Sequence, residues 1–214
     1  MHRGEGQAVS IYEKFRDHTM VTREVFERNL DLVNSFRNVH GCVVECGVWK
    51  GGMIAGIASI LGPDRNYWLY DSFDGLPPAR DIDGPAARKY QEATMSDGYM
   101  DNCRASPKSA RDAMLTSGAG KFQIVQGWFS DTLYHQHPAE PIAILRLDCD
   151  WYESVSTCLD ILFDAVVAGG VIIVDDYHAW DGCSRAVHDF LAGRKATERL
   201  QGKEKDGMCW MVKK

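Results

Sequence analysis

Two apolar, β-branched runs, Ile142-Ala-Ile-Leu-Arg-Leu147 and Gly170-Val-Ile-Ile-Val174, each break off into acids: Asp148-Cys-Asp150 after the first, Asp175-Asp176 after the second. A helical pattern begins between them near Tyr152, so the stretch reads as strand, helix, strand. Such a βαβ unit makes its strands parallel and brings Asp148, Asp150, Asp175 and Asp176 to the carboxyl edge of one sheet. Open α/β sheets bind their ligands at that edge. Carboxylates gathered there repel one another unless a cation lies among them, and a divalent metal held by oxygen ligands answers the repulsion.

The chain has 214 residues, enough for one substantial α/β domain and too few for two comfortable ones. Its net charge of −6 argues against nucleic acid or an anionic membrane as partner. The stretch Met1-His-Arg-Gly-Glu-Gly-Gln lacks the apolar core of a signal peptide, and no run approaches the roughly 18 apolar residues of a membrane span, which predicts a cytoplasmic protein. Seven cysteines without a C-x-x-C pair predict reduced, buried thiols rather than a disulfide framework or a zinc site.

Before the sheet, Phe15, Val21, Val25, Phe26, Leu30, Val33 and Phe36 fall at helical spacings interrupted near His18-Thr19. Residues 1–40 therefore read as a helical leader, a cover for the site or a subunit interface of a homodimer, ahead of an α/β domain at 41–214. Cys42-Val-Val-Glu-Cys-Gly47 is a short buried strand ending in an acid and a glycine, and Val48-Trp-Lys-Gly51-Gly52 leads into an apolar helix. Strand, glycine-rich turn and helix N-terminus let backbone approach a ligand closely, although the spacing is not that of G-x-G-x-x-G and the pattern also suits a tight turn with no ligand. The second strand ends in Asp71-Ser72, where nucleoside-binding α/β folds place the acid that accepts from ribose hydroxyls.

Residues 79–120 form a polar insert whose Asp81, Asp83, Arg88, Lys89, Asp97 and Asp101 read as a solvated segment, or alternatively as a mobile lid. A third strand leads to Gly127-Trp128, where the tryptophan suits stacking on a planar base or an ordinary domain edge. Asp181 reads as the cap of a late helix, and residues 197–203 and 208–212 as a closing β-hairpin.

Among the acids, Asp150-x-x-Glu153 matches a capping box, which assigns Asp150 to the helix that follows. Asp148 ends its strand with no local helix to serve, and Asp175 and Asp176 stand at the matching end of the neighbouring strand. Magnesium would offset part of their charge and acidify an alcohol in its shell, which an aspartate of pKa near ~3.9 cannot deprotonate unaided.

Val44-Glu-Cys-Gly-Val-Trp-Lys-Gly-Gly52, Tyr70-Asp-Ser-Phe-Asp-Gly-Leu-Pro77, Gly127-Trp-Phe-Ser-Asp-Thr-Leu133, Leu145-Arg-Leu-Asp-Cys-Asp-Trp-Tyr-Glu-Ser154 and Ile173-Val-Asp-Asp-Tyr177 together resemble the macrocin O-methyltransferase family. The resemblance implies a class I methyltransferase, Rossmann-like fold: a mostly parallel central sheet with helices on both faces and a C-terminal antiparallel hairpin. It further implies S-adenosylmethionine and Mg2+ as cofactors and a hydroxylated small-molecule acceptor, a sugar, glycoside or phenol. Carried over by position, Glu45, Gly47, Val48 and Gly51 face the methionine end of the cofactor, Asp71 and Ser72 the ribose, and Gly127 and Trp128 the adenine. Asp148, Asp175 and Asp176 hold magnesium, Asp148 also borders the cofactor and serves as general base, and His178 is the reserve base. Two rivals remain at this level: a magnesium phosphohydrolase built on Asp-x-Asp, and a non-catalytic nucleoside-binding module.

Overall fold

The computed structural model describes residues 10–96 and 99–214; residues 1–9, with the N-terminal stretch read above, and Asp97 of the insert lie outside them. The leader forms at the predicted spacings. Residues 10–15 are helical (α1), a 3-10 turn follows at Arg16–His18, and after the break the Thr22 side chain accepts the Val25 N–H to cap α2, Arg23–Ser35. α2 turns Phe26, Leu30 and Val33 into the core and buries Asn29 beside them.

β1 (Cys42–Cys46), β2 (Asn66–Asp71), β3 (Lys121–Gln126), β4 (Ile142–Leu147) and β5 (Val166–Val174) run parallel. β6 (Cys209–Val212) adds to β5 antiparallel, and the sheet order is β3-β2-β1-β4-β5-β6. β1 and β4 are buried along their whole length because helices cover both faces, which is why they read as continuous apolar runs. One face sets Val43, Leu69, Ile144 and Ile173 against α2, α3 (Gly52–Leu61) and α5 (Pro107–Ser117). The other sets Val44, Tyr70, Leu145 and Ile172 against α7 (Tyr152–Leu162) and α8 (Asp181–Gly193). Each such aliphatic side chain contributes about 1.5–3 kcal/mol by leaving water, so the two layers fix the sheet firmly under its loops.

The insert divides into two parts. α5 belongs to the regular helix layer, with Ala110 packed against the start of α3. The described residues of the stretch, 79–96 and 99–103, with α4 (Gly84–Glu92), instead lie over the carboxyl edge, where Arg80 pairs with Glu153 at 2.7 Å; just before them Pro77 O accepts the Trp151 indole N–H at 2.9 Å. At the C-terminus, residues 197–203 contribute a single bridge, Gln201 to Trp210, before Gly202 turns the chain with φ +100°. Among the described residues no helix is long and apolar enough to cross a membrane, and all seven cysteines are free.

Candidate active site

The strand order reverses between β1 and β4, and ligands of open α/β sheets bind in the crevice at such a switch point. A cavity of about 250 Å³ opens there. Gly47 makes it possible: its N–H bonds Tyr70 O at 2.8 Å while the Asp148 N–H bonds Cys46 O at 2.9 Å, so the turn is pressed between the ends of β2 and β4. A Cβ on Gly47 would lie 1.7 Å from Asp148 O, and its φ of +83° favours glycine independently. Gly47, Val48 and Glu45 line the cavity, whereas Gly51, at φ +81°, faces Ala110 of α5 and serves helix packing. The leader supplies a wall that residue spacing did not specify: His18, Thr19, Met20 and Val21 border the cavity, with His18 O against Gly52 at the start of α3.

Asp71 stands at the end of β2 and lines the cavity, but its carboxylate is engaged in shaping the turn. Oδ2 accepts the N–H groups of Val48 and Trp49 at 2.8 and 2.7 Å, and Oδ1 accepts that of Phe73 at 2.7 Å. Burial pushes its pKa up, and the three backbone donors pull against that shift. Ser72, Gly127 and the half-exposed Trp128 complete the side where the ribose and adenine were expected. Trp49, Phe73 and Asp150 all have left-handed φ, at 48°, 58° and 58°, directly after β1, β2 and β4. Strained backbone of this kind is concentrated where loops are held for function.

The acids meet as predicted, with one residue that periodicity did not single out. Oxygens of Asp148, Asp175 and Asp176 lie within 4.8 Å of one another, a donor set suited to a hard divalent cation. Behind them sits Arg146, fully buried. Its Nη1 donates to Glu45 Oε1 at 2.6 Å and Asp148 Oδ2 at 2.7 Å, and Nη2 is ion-paired with Asp175 Oδ1 at 2.5 Å. Burial opposes the charge on Arg146, and Asp175, Asp148 and Glu45 together outweigh it and push its pKa up. The signal was present in the sequence: a charged residue inside an apolar strand needs buried partners of opposite sign. Burial raises Glu45, which lines the cavity, to about 8 against the pull of Arg146, and its Oε2 is buried without a hydrogen-bond partner among the described residues. An orphaned carboxylate oxygen there suits a cationic group such as the amino group of a bound amino-acid moiety.

Asp150 does not cap α7. The cap position is Trp151, without a side-chain bond, and the positive φ at Asp150 turns its carboxylate to the cavity, where Oδ1 accepts the Trp180 indole N–H at 2.9 Å. Burial, then Asp148, raises Asp150 to about 8. Burial raises Asp175 to about 7 against Arg146, and burial and the charge of Asp150 push Asp176 up. Asp181 likewise lies inside the first turn of α8 rather than at its cap, with its carboxylate against Gly84 of the insert. His178 is not among the residues bordering the cavity; its ring meets Tyr177 edge-on at 4.9 Å.

The Macrocin-O-methyltransferase (TylF) family model matches residues 12–212. Demethyldecarbamoylnovobiocin O-methyltransferase of Streptomyces niveus is 32% identical over 220 residues, covering 98% of this chain and 83% of that protein. The 8-demethyl-8-(2,3-dimethoxy-alpha-L-rhamnosyl)-tetracenomycin-C 4'-O-methyltransferase of Streptomyces olivaceus is 31% identical over 180 residues, covering 80% and 66%. The solved structure of the O-methyltransferase NovP superposes with a TM-score of 0.75 at 30% identity, covering 92% of this chain and 82% of that one. A turn pressed between β2 and β4, an acidic cluster at the switch point and these matches agree, and the chain belongs to the macrocin-O-methyltransferase family.

Proposed function

We propose that the protein methylates a hydroxyl on the sugar of a glycosylated natural product, with S-adenosylmethionine as donor and magnesium as the required cation. One observation carries the reading: the carboxylates of Asp148, Asp175 and Asp176 open into the same cavity as the glycine turn after β1. The sugar is favoured by the tetracenomycin relative, whose name specifies a rhamnosyl substrate. When bound, the sulfonium cofactor supplies an electrophilic methyl group and the cation lowers the pKa of the acceptor hydroxyl. Glu45, Gly47 and Val48 would receive the amino-acid end of the cofactor, Asp71 and Ser72 its ribose, and Gly127 and Trp128 its base. The free thiols suit a reducing, cytoplasmic setting.

The acceptor proton goes to a carboxylate of the turn after β4. Asp148 gives Oδ2 to Arg146, whereas the Asp150 carboxylate, among the described residues, accepts from Trp180 through one oxygen and keeps the other for the acceptor hydroxyl. Asp150 therefore takes the proton, and Asp148 stays with the cation. His18, Thr19, Met20 and Val21 of the leader wall the cavity on one side, and alignment of the acceptor oxygen with the methyl group would supply much of the acceleration.

Calorimetry with S-adenosylmethionine, alongside a screen of glycosides, free sugars and phenols for S-adenosylhomocysteine release, tests the reading. Cofactor binding without metal and turnover only with magnesium are expected. Turnover that survives excess chelator would remove the metal, and absence of cofactor binding under every metal condition would remove the donor. Asp148→Asn should bind cofactor and lose turnover.

A further inference from the structure

Arg146 is placed by strand parity. In register it lies beside Glu45 of β1 and Ile173 of β5, so Asp148 and Asp175, each two residues farther along, emerge on the same face. α2 packs on that face and brings Asn29, wholly buried, to the guanidinium: Arg146 Nε donates to Asn29 Oδ1 at 3.3 Å, and Asn29 Nδ2 donates to Val25 O at 3.0 Å, which fixes the amide's orientation. The fork is thus held at its stem while its two ends meet Asp148 and Asp175.

Each of these two carboxylates turns one oxygen, Oδ2 of Asp148 and Oδ1 of Asp175, to the guanidinium. A cation that took both oxygens of either carboxylate would have to share one of them with the guanidinium. Calcium favours six to eight oxygens and commonly takes both oxygens of a carboxylate, while the smaller magnesium is satisfied by six ligands with several of them water. We infer that Arg146, held by Asn29, is a positioning residue that restricts Asp148 and Asp175 to one oxygen each toward the cation and so makes the site prefer magnesium to calcium. The inference rests on the metal reading proposed above. Lysine would keep the charge but not the planar fork that engages two carboxylates at fixed separation.

Magnesium and calcium binding to the full chain, each measured by calorimetry and by displacement of manganese followed by electron paramagnetic resonance, gives an affinity ratio independent of turnover. Wild type should favour magnesium. Arg146→Lys should lower the magnesium-to-calcium ratio by about tenfold or more, the scale seen when groups that orient metal ligands are changed. Asn29→Leu, which keeps the branched shape without the amide and frees the stem of the fork, should move it in the same direction by less. A purely structural role would lower thermal stability in both variants and leave the ratio where it was, and that result overturns the inference. If Arg146→Lys does not fold, Asn29→Leu decides alone. Wild type that prefers calcium also overturns the inference, whereas wild type that binds neither ion overturns the metal reading beneath it.

Discussion

Asp83 Oδ1 accepts the Tyr152 N–H at 2.8 Å, so the helix behind the acidic turn is capped by a side chain 69 residues away. Its other oxygen accepts the Arg80 N–H at 2.8 Å, and the space beside it is kept open by Gly182, where a Cβ would lie 2.5 Å from Asp83 Oδ1. The insert therefore rests its carboxylate between the N-termini of α7 and α8, where orphan N–H groups and helix dipoles favour negative charge. Asp83→Ala should cost about 1–2 kcal/mol, the usual loss of a cap, and lower turnover because the Asp148–Asp150 turn is anchored to α7. Urea unfolding read beside initial rates checks this, and a variant as stable and active as wild type would show the cap to be idle.

Trp180 offers a cleaner probe of Asp150. Its ring packs edge-on to Trp151 at 5.2 Å and against Tyr90 at 5.8 Å, contacts that Trp180→Phe largely retains. What the variant loses is the indole N–H to Asp150, which holds the carboxyl's pKa down against burial and Asp148. Removing it should raise that pKa further. The rising limb of the pH–rate profile should then move to higher pH with the cofactor's dissociation constant little changed; an unmoved limb would exclude Asp150 as base.

Glu45 predicts a pH dependence of stability in the metal-free, cofactor-free protein. Burial raises its folded pKa from 4.5 to about 8. Because the folded value is the higher one, the proton bound by the folded state stabilises it fully below the unfolded pKa, and that contribution is lost as pH rises through about 8. Glu45→Gln, similar in shape and uncharged, should flatten the decline between pH 5 and 8. Arg146 would keep Asp148 and Asp175 as partners in the variant. Equal slopes for the two proteins in denaturant titrations would contradict the prediction.

Gly47→Ala should be severe. The new methyl meets backbone oxygen at 1.7 Å and the residue must hold φ +83°, so neither rotamer change nor a side-chain shift relieves it. A loss of roughly 3 kcal/mol or more, the scale of named backbone and overpacking faults, should appear as poor soluble yield and a lowered Tm. A Gly47→Ala protein with the wild-type Tm would mean the turn is far more pliable than its packing indicates.

Sequence and structure part company at identifiable residues. Asp150-x-x-Glu153 satisfies the local pattern of a capping box, yet the φ of 58° at Asp150 swings the carboxylate away, and Asp83 caps instead. The same holds for Asp181, which opens α8 from within its first turn. Asp71 was legible as the acid ending β2, but its three backbone donors became visible only when the loops after β1 and β2 were brought together.

The arrangement of Asp148, Asp175 and Asp176 was determined by sequence alone, because strand polarity, strand ends and side-chain alternation are local properties that a βαβ unit carries to one edge. The partners of those acids were decided only by tertiary structure. Asn29 reaches Arg146 across 117 residues and Asp83 reaches Tyr152 across 69, and such meetings depend on how α2 and the insert pack onto a finished sheet. No periodicity within a strand or helix records where another element will come to rest, which is why the acidic edge could be read from the chain and the residues that orient it could not.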